Sequence, residues 1–268
     1  IQVYSCDIRD GRQIRKVLND VRPHRIYHMA SVSFVPSAHQ EWGLAFETNV
    51  SGALHLFQAV KELEIDARIM CVGSSEEYGM IRPSDLPVRE TNPLRPITLY
   101  GVTKAAASLL ANSFVQRESL DIICVRPFNH IGPRQAERFV CSSFARQIAE
   151  METGGPQLLK VGNLEAQRDF IDVRDTVRAY KILMEKGDSG GVYNVCSGKT
   201  VSIRTILNKL QKLTNKHFTF ESDPSRFRPE RPVQFYGDHA LLTLRTGWVP
   251  AIPLEQSLRD ILVYWKEM

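Results

Sequence analysis

The sequence predicts an α/β fold, in which helices cover both faces of a parallel sheet and a smaller C-terminal lobe follows. Short apolar runs at 1–5, 25–30, 68–73 and 121–127 alternate with helix-like segments at 10–20, 42–64 and 98–118. Strands that alternate with helices form parallel sheets through right-handed crossovers. The run 122–125 is apolar without alternation, as expected for a strand that is buried on both faces. These observations predict a doubly wound sheet.

The predicted helices rest on the spacing of apolar residues. Segment 42–64 carries them at helical intervals, at Leu44, Phe46, Val50, Leu54, Phe57 and Val60. After Arg126 the pattern becomes less regular, with a loop at 127–138, a helix near 139–152 and loops at 153–157 and 162–170. This change from regular alternation of strands and helices to a less regular pattern predicts the second lobe.

The last third of the chain continues this less regular pattern. Asp172, with Asp175 three residues later, predicts an approximate capping box at the start of a helix. A strand at 191–195, a helix at 202–213, a further strand, a Pro/Arg-rich segment at 223–233 and two final helices follow. We expect a sheet domain of residues 1–130 and about 172–198, and a lobe of residues about 131–171 and 199–268.

The composition is that of an ordinary globular protein. The 268 residues are 43% hydrophobic and 24% charged, with a net charge of +4. The sequence has no Lys/Arg run typical of nucleic-acid binding, no apolar stretch that would span a bilayer and no signal peptide. The five cysteines form no C-x-x-C pair, which suits buried thiols in a reducing cytoplasm. No spaced set of His, Cys or carboxylate residues predicts a metal site.

Tyr100 and Lys104 are the main candidates for catalysis. Their spacing of four residues places both side chains on one face of a helix. A nearby ammonium stabilises a phenolate, so we expect Lys104 to lower the pKa of Tyr100 from its ordinary value of about 10. The alternative is a surface helix with a solvated lysine. The context favours catalysis, because strand 69–72 leads into Ser74 and Ser75 at the strand end where open α/β sheets bind ligands.

Seven motifs, in this order along the chain, resemble the extended short-chain dehydrogenase/reductase family of nucleotide-sugar epimerases, dehydratases and reductases. They are 6–10, 28–31, 48–52, 74–79, 100–104, 126–129 and 168–173. The resemblance implies a Rossmann-like fold, NADPH or NADH as cofactor and a nucleotide-sugar substrate. It also implies a homodimer formed through helices 42–64 and 98–118, although their apolar faces could equally belong to the core.

The resemblance implies a role for each catalytic candidate. Tyr100 would protonate the C4 oxygen of the sugar as hydride reaches C4, Lys104 would hold the nicotinamide ribose, and Ser74 would bind the same oxygen. For Ser74 the alternative is a turn residue that bonds its own backbone. With Tyr100 and Lys104, the implied cofactor contacts are Asp7, Ile8, Met29, Ala30, Ser31, Asn49, Val72, Pro127 and Phe128. Asp7 could equally cap the following helix.

Within the family, runs 128–135 and 161–164 are similar to the GDP-sugar branch. The implied substrate contacts are Ser74, Ser75, Asn129, Val140, Arg146, Gly162, Asn163, Arg168 and Arg228. The wider pattern favours reduction of the C4 ketone of GDP-4-dehydro-6-deoxy-D-mannose. Glu76 keeps 4,6-dehydration of GDP-mannose as the alternative, because that reaction needs an acid/base carboxylate beside the hydroxyl. Glu76 and Glu77 could also be solvated loop charges.

One motif of the family does not occur in this sequence. The family begins with a strand and a Gly-rich turn that binds the cofactor pyrophosphate at a helix N-terminus. We expect the chain to enter at the family's third strand, with two βα units of about 60 residues absent. Weak cofactor binding is then expected, and a non-catalytic nucleotide-sugar-binding remnant is a third hypothesis. The residue that separates NAD from NADP would belong to the same missing part.

Overall fold

A four-stranded parallel sheet lies at the centre of the fold. The computed structural model describes residues 1–33, 41–214, 216–223 and 234–268. The sheet has the order β1-β2-β3-β8, with strands β1 (Arg25–His28), β2 (Arg68–Val72), β3 (Ile122–Pro127) and β8 (Val192–Val195). Every neighbouring pair is parallel. The predicted α/β class is therefore confirmed.

Helices cover both faces of this sheet. On one face Ile69, Cys71, Ile122 and Cys124 pack against helices α1 (Gly11–Val21), α3 (Gly52–Glu62) and α4 (Leu99–Glu118). On the other face Met70, Ile123 and Val125 pack against α6 (Val173–Lys186) and α8 (Ala240–Thr246). Successive residues of a strand point to opposite faces. The central strands are thus apolar at every position because both of their faces are buried.

A second hydrophobic cluster forms the C-terminal lobe. It is built on α5 (Val140–Glu152), α7 (Ile203–Gln211) and α9 (Leu254–Glu267). Short strands complete this part: β4 (Asn129–Ile131) with β7 (Phe170–Asp172), β5 (Leu158–Val161) with β10 (Thr219–Ser222), and β6 (Gln167–Arg168) between β9 (Val201–Ser202) and β11 (Gln234–Phe235). The predicted domain boundaries stay a prediction. Within the described ranges, no helix combines the length and hydrophobicity that crossing a membrane requires.

Three local predictions differ from the structure. Residues 1–5 are not a strand, because no described strand lies beside them to accept their hydrogen bonds. Among the described residues, β1 is the edge strand of the sheet, and its partner is β2. The helix predicted over 42–64 is α2 (Trp42–Phe46), a π-helical turn (Glu47–Ser51) and α3. Asp172 caps α6 as predicted, but Asp175 does not complete a capping box, because its carboxylate accepts from the backbone N–H groups of Ala251 and Ile252.

Candidate active site

The turn after β2 carries the candidate hydroxyl and carboxylate groups. It is a 3₁₀ turn (Ser75–Glu77), and the Ser74 Oγ accepts from the Glu76 N–H at 3.2 Å. The Glu77 carboxylate reaches back and accepts from the Ser74 N–H at 2.9 Å. A Cβ at Gly73 would lie 2.0 Å from Glu77 Oε1, so glycine is required there. The capping box therefore holds this turn in one conformation at the carboxyl end of the strand.

The start of α4 packs directly against this turn. Thr98 caps the helix by accepting from the Gly101 N–H at 3.0 Å. A Cβ at Gly101 would lie 2.5 Å from the Glu76 carbonyl oxygen, so glycine permits the close approach. As a result, the Ser74 hydroxyl lies beside the Tyr100 phenol, whose phenolate form it favours. The structure thus brings together the phenol and the hydroxyl that the sequence analysis assigned to one oxygen.

Lys104 lies one turn further along the same face of α4. Its side chain is buried, and its Nζ donates to the Val72 carbonyl oxygen at 2.7 Å. The Nζ lies 5.9 Å from the centre of the Tyr100 ring. Lys104 therefore joins the catalytic helix to the end of β2, beside the phenol.

The pKa of Tyr100 is raised, so the prediction that Lys104 lowers it is wrong. Burial is the largest cause, a hydrogen bond from Ser74 acts in the opposite direction, and the charges of Glu76 and Glu77 raise the pKa further. Burial also lowers the pKa of Lys104. Because burial is the largest cause and raises the pKa above its ordinary value, the phenol keeps its proton at neutral pH. This is the protonation state that a proton donor needs.

Asn49 links the end of β1 to the catalytic helix. It lies in the π-helical turn and is buried, with Oδ1 accepting from the Val32 N–H at 2.8 Å. Its Nδ2 donates to the Val32 carbonyl oxygen at 3.2 Å and to Thr103 Oγ1 at 2.9 Å. These contacts brace the end of β1 against α4, and the cofactor contact that the resemblance implied for Asn49 stays a prediction. Just before Val32, the buried Ser31 Oγ has no hydrogen-bond partner among the described residues.

The other predicted cofactor residues lie along the same sheet edge. Met29 and Ala30 are exposed after β1, and the backbone of Ile8 lies 3.3 Å from His55 Nδ1. Asp10, and not Asp7, caps α1. Asp7 instead forms hydrogen bonds with Arg9, which lower the pKa of its carboxyl to about 2. The alternative of Asp7 as a helix cap is therefore wrong.

Pro127 and Phe128 end β3, but the Phe128 side chain is buried. Its ring stacks on Phe235 at a centroid distance of 5.3 Å. A contact of these residues with nicotinamide stays a prediction, and the packing favours the backbone rather than the Phe128 ring for that role.

A cleft opens beside the turn. It is lined by Ser75, Glu76, Gly79, Ile97, Asn129, Arg168 and Phe235. Three of the predicted substrate residues, Ser75, Asn129 and Arg168, are thus brought together with Glu76. The Asn129 Nδ2 donates to the Asp169 carbonyl oxygen at 2.9 Å, which ties one wall of the cleft to the other.

Of the remaining predicted substrate residues, Arg228 lies outside the described residues. The others do not line this cleft. Arg146 pairs with Glu137 and Glu150. Val140 packs against the core of the lobe, and the Asn163 Oδ1 accepts from the Glu165 N–H, which is the behaviour of a turn residue. Gly162 lies in the same turn, and its contact with substrate stays a prediction.

Comparison with known proteins identifies the family. The model of the family described as GDP-mannose 4,6 dehydratase matches residues 1–261. The chain belongs to this family. Its relatives within the GDP-mannose 4,6-dehydratase family include the GDP-6-deoxy-D-mannose reductase of Pseudomonas aeruginosa, 37% identical over 91% of this chain and 81% of the relative. The GDP-mannose 4,6-dehydratase of Vibrio cholerae serotype O1 is 25% identical over 97% of this chain and 78% of that protein.

Solved structures agree with this assignment to the GDP-mannose 4,6-dehydratase family. The structure of RMD from Pseudomonas aeruginosa complexed with NADPH has a TM-score of 0.92 and 34% identity, covering 99% of this chain and 88% of that chain. DesIV, a dTDP-glucose 4,6-dehydratase from Streptomyces venezuelae with NAD and TYD bound, has a TM-score of 0.85 and 22% identity over 98% of this chain and 78% of that chain. The second likeness concerns the fold alone. The predicted family resemblance is confirmed.

In this member of the GDP-mannose 4,6-dehydratase family, sequence reasoning missed two buried acids beside the site. Glu77 is not solvated but fully buried, with Arg126 Nε 2.9 Å from its Oε2. One signal was available, because an arginine at the end of a strand buried on both faces requires a counter-charge. Asp169 is also fully buried and accepts from the backbone N–H groups of Ser197, Gly198 and Gly237. Nothing in the sequence spacing linked these distant segments.

Proposed function

We propose that this protein reduces the C4 ketone of GDP-4-dehydro-6-deoxy-D-mannose to GDP-6-deoxy-D-mannose (GDP-D-rhamnose), with NADPH or NADH as the reductant. The observation that carries the proposal is the position of the Tyr100 phenol beside the Ser74 hydroxyl, at the end of the strand that borders the cleft. The 37% identity to a GDP-6-deoxy-D-mannose reductase supports this substrate over the dehydratase substrate, because the GDP-mannose 4,6-dehydratases among the relatives of this chain are 23–26% identical to it.

Ketone reduction needs one hydride and one proton. A nicotinamide cofactor held at this site would supply the hydride. Tyr100 donates its proton to the C4 oxygen, and the Ser74 hydroxyl orients that oxygen by a hydrogen bond. The phenol holds this proton before the hydride arrives, because burial raises its pKa above the ordinary value. Lys104, 5.9 Å from the ring, stabilises the phenolate that remains.

The residues at the end of β1 fit the nicotinamide half of the cofactor. The buried hydroxyl of Ser31 offers a hydrogen bond that no described residue uses, and the Lys104 ammonium lies buried at the neighbouring strand end. We assign the nicotinamide riboside to this edge, where Ala30 and the backbone of Pro127 and Phe128 would contact it. Met29, Asn49 and Val72 complete this edge. Asp7 and Ile8 are assigned to the adenine end.

We assign the GDP-sugar to the cleft of Ser75, Asn129 and Arg168. A guanidinium offers two parallel donors to a diphosphate, which makes Arg168 the main anchor. Val140, Arg146, Gly162, Asn163 and Arg228 are kept as proposed contacts for the distal parts of the nucleotide. In this scheme the sheet domain holds the cofactor and the lobe holds the nucleotide sugar.

Dehydration of GDP-mannose is the second candidate function. The observation that favours it is Glu76, which lines the cleft next to Ser75, where an acid/base carboxylate would reach the sugar. Dehydration starts with oxidation at C4, which requires Tyr100 to accept a proton. The higher identity to the GDP-6-deoxy-D-mannose reductase supports reduction over dehydration.

The test is a pair of incubations with purified full-length protein. In the first, the 4-keto-6-deoxy sugar nucleotide is supplied with NADPH or NADH, and we expect coenzyme oxidation matched by formation of GDP-6-deoxy-D-mannose. In the second, GDP-mannose is supplied without reductant, and we expect no consumption. Consumption of GDP-mannose in the second incubation would contradict a pure reductase, and no turnover in either would contradict both functions.

We also propose that the protein is a cytoplasmic homodimer. Exposed apolar side chains project from both helices that the resemblance assigned to the dimer contact, namely Trp42 and Phe46 on α2, and Val102 and Leu109 on α4. Four of the five free cysteines are buried, which suits a reducing compartment. Light scattering should give twice the mass of the chain, and a Leu109→Glu variant should give the mass of a monomer. A monomeric wild-type protein would contradict the dimer.

A further inference from the structure

Glu77 is a fully buried charged residue next to the site, and the proposed mechanism gives it no role. Its side chain is 0% exposed. Oε1 accepts from the Ser74 N–H at 2.9 Å and from Ser108 Oγ at 3.1 Å, and Oε2 accepts from Arg126 Nε at 2.9 Å. One carboxylate thus joins the turn after β2, the helix α4 and the strand β3.

Arg126 extends this contact into a wider buried network. Its Nη1 donates to Tyr78 Oη at 3.1 Å, and the Tyr78 hydroxyl donates to Asn194 Oδ1 at 2.7 Å. The network therefore reaches β8 on the far side of β3. Because each member is held by another, the carboxylate of Glu77 has little freedom to move.

A buried ion pair is a poor device for stability alone. The desolvation of both charges offsets much of their attraction, and apolar side chains of similar volume often stabilise a fold as well. The distinctive feature of Glu77 is instead that it binds the backbone of a proposed catalytic residue. Its Oε1 binds the backbone N–H of Ser74, whose hydroxyl contacts Tyr100.

We propose that Glu77 is a positioning residue of this active site, which fixes the backbone of Ser74 and thereby aims the Ser74 hydroxyl at Tyr100. The kinetic consequences of this inference rest on the proposed reduction at C4.

The test compares two double variants that differ in one respect. Glu77→Leu/Arg126→Met removes both charges and leaves the Ser74 N–H without an acceptor. Glu77→Gln/Arg126→Met also removes both charges but keeps an amide oxygen for that N–H. Because neither variant leaves a buried unpaired charge, both are expected to fold, and thermal unfolding verifies this.

We expect kcat of the Leu/Met variant to fall by about 10- to 100-fold, since a misplacement of about 1 Å can cost about 100-fold. The KM values for the sugar nucleotide and NADPH should stay within about twofold, because Glu77 does not line the cleft. The Gln/Met variant should recover most of kcat. As a matched control, Asp175→Asn alters another buried, arginine-paired acid, and it should change stability without lowering kcat.

A second readout requires no turnover. Hydrogen exchange at the Ser74 amide should be faster in the Leu/Met variant than in the Gln/Met variant. Equal kcat values and equal exchange in the two variants would overturn the positioning role. An inactive wild-type protein with the expected difference in exchange would instead contradict the proposed function and leave the structural part of the inference supported.

Discussion

Replacing Asn49 should loosen the contact between the cofactor edge and the catalytic helix. The Asn49 side chain makes three hydrogen bonds, two to the backbone of Val32 and one to Thr103 Oγ1. Thr103 in turn donates to the Tyr100 carbonyl oxygen at 2.9 Å. The most informative change is Asn49→Leu, which keeps the volume of the side chain but removes all three hydrogen bonds.

The expected size of the effect follows from these contacts. At about 1 kcal/mol for each hydrogen bond, the free energy of unfolding should decrease by about 3 kcal/mol. Asn49 anchors Val32 and Thr103, which are the sequence neighbours of Ser31 and Lys104. The efficiency of catalysis should therefore decrease as well. We expect kcat/KM to decrease by about 10- to 100-fold, as for a shift of about 1 Å in a reacting group.

Urea unfolding followed by fluorescence measures the first quantity, and NADPH oxidation with the ketosugar measures the second. Gln58→Ala is the control, because Gln58 is exposed on the adjoining helix α3 and should change neither quantity. Asn49→Asp should be intermediate in stability, since it keeps the acceptor for the Val32 N–H. A fully stable and fully active Asn49→Leu variant would refute this account of the brace.

Three other perturbations test separate parts of the structure. Arg168→Lys removes the forked donor from the cleft, so KM for the GDP-sugar in steady-state kinetics should rise about 10-fold with kcat within about twofold. Gly101→Ala places a Cβ 2.5 Å from the Glu76 carbonyl oxygen, and unfolding by urea should show a loss of about 2 kcal/mol. Asp169 has a pKa that burial raises to about 6, against the effect of its hydrogen bonds. Its unfolded form therefore loses the proton first as the pH rises. The free energy of unfolding should fall between about pH 4 and pH 6, by at most about 3 kcal/mol, and Asp169→Asn should lack this slope.

Each of these expectations has a result that contradicts it. For Arg168→Lys it is an unchanged KM, or a fall in kcat alone. For Gly101→Ala it is wild-type stability, which would mean that α4 does not press against the turn. For Asp169 it is a stability that rises over this pH range in the wild type, or the same slope in the Asp169→Asn variant.

Much of the fold was predictable because its signals are local. The apolar runs of β2 and β3 and the helical spacing of α4 lie within single segments, and a strand buried on both faces needs no partner to be recognised. The strand predicted over residues 1–5 shows the limit of such signals. A strand is defined by hydrogen bonds to a neighbour, and no apolar pattern shows whether a neighbour is present.

The candidate site was predictable where one segment contains the chemistry. Ser74, Tyr100 and Lys104 follow from spacing and from their position at the end of a strand. The protonation of Tyr100 was not predictable, because burial decides it and burial arises only when α4 packs on the turn. Glu77 was missed for the same reason, since its partner Arg126 lies 49 residues away in the sequence.

The transfer of a proton from Tyr100 to the sugar is the central claim, and the single-turnover rate of ketosugar reduction by Tyr100→Phe tests it most directly. With NADPH binding verified as unchanged, we expect the rate to fall by about 100- to 10,000-fold at neutral pH, as for loss of a general acid. A Tyr100→Phe protein that reduces the ketosugar at the wild-type rate would contradict the account.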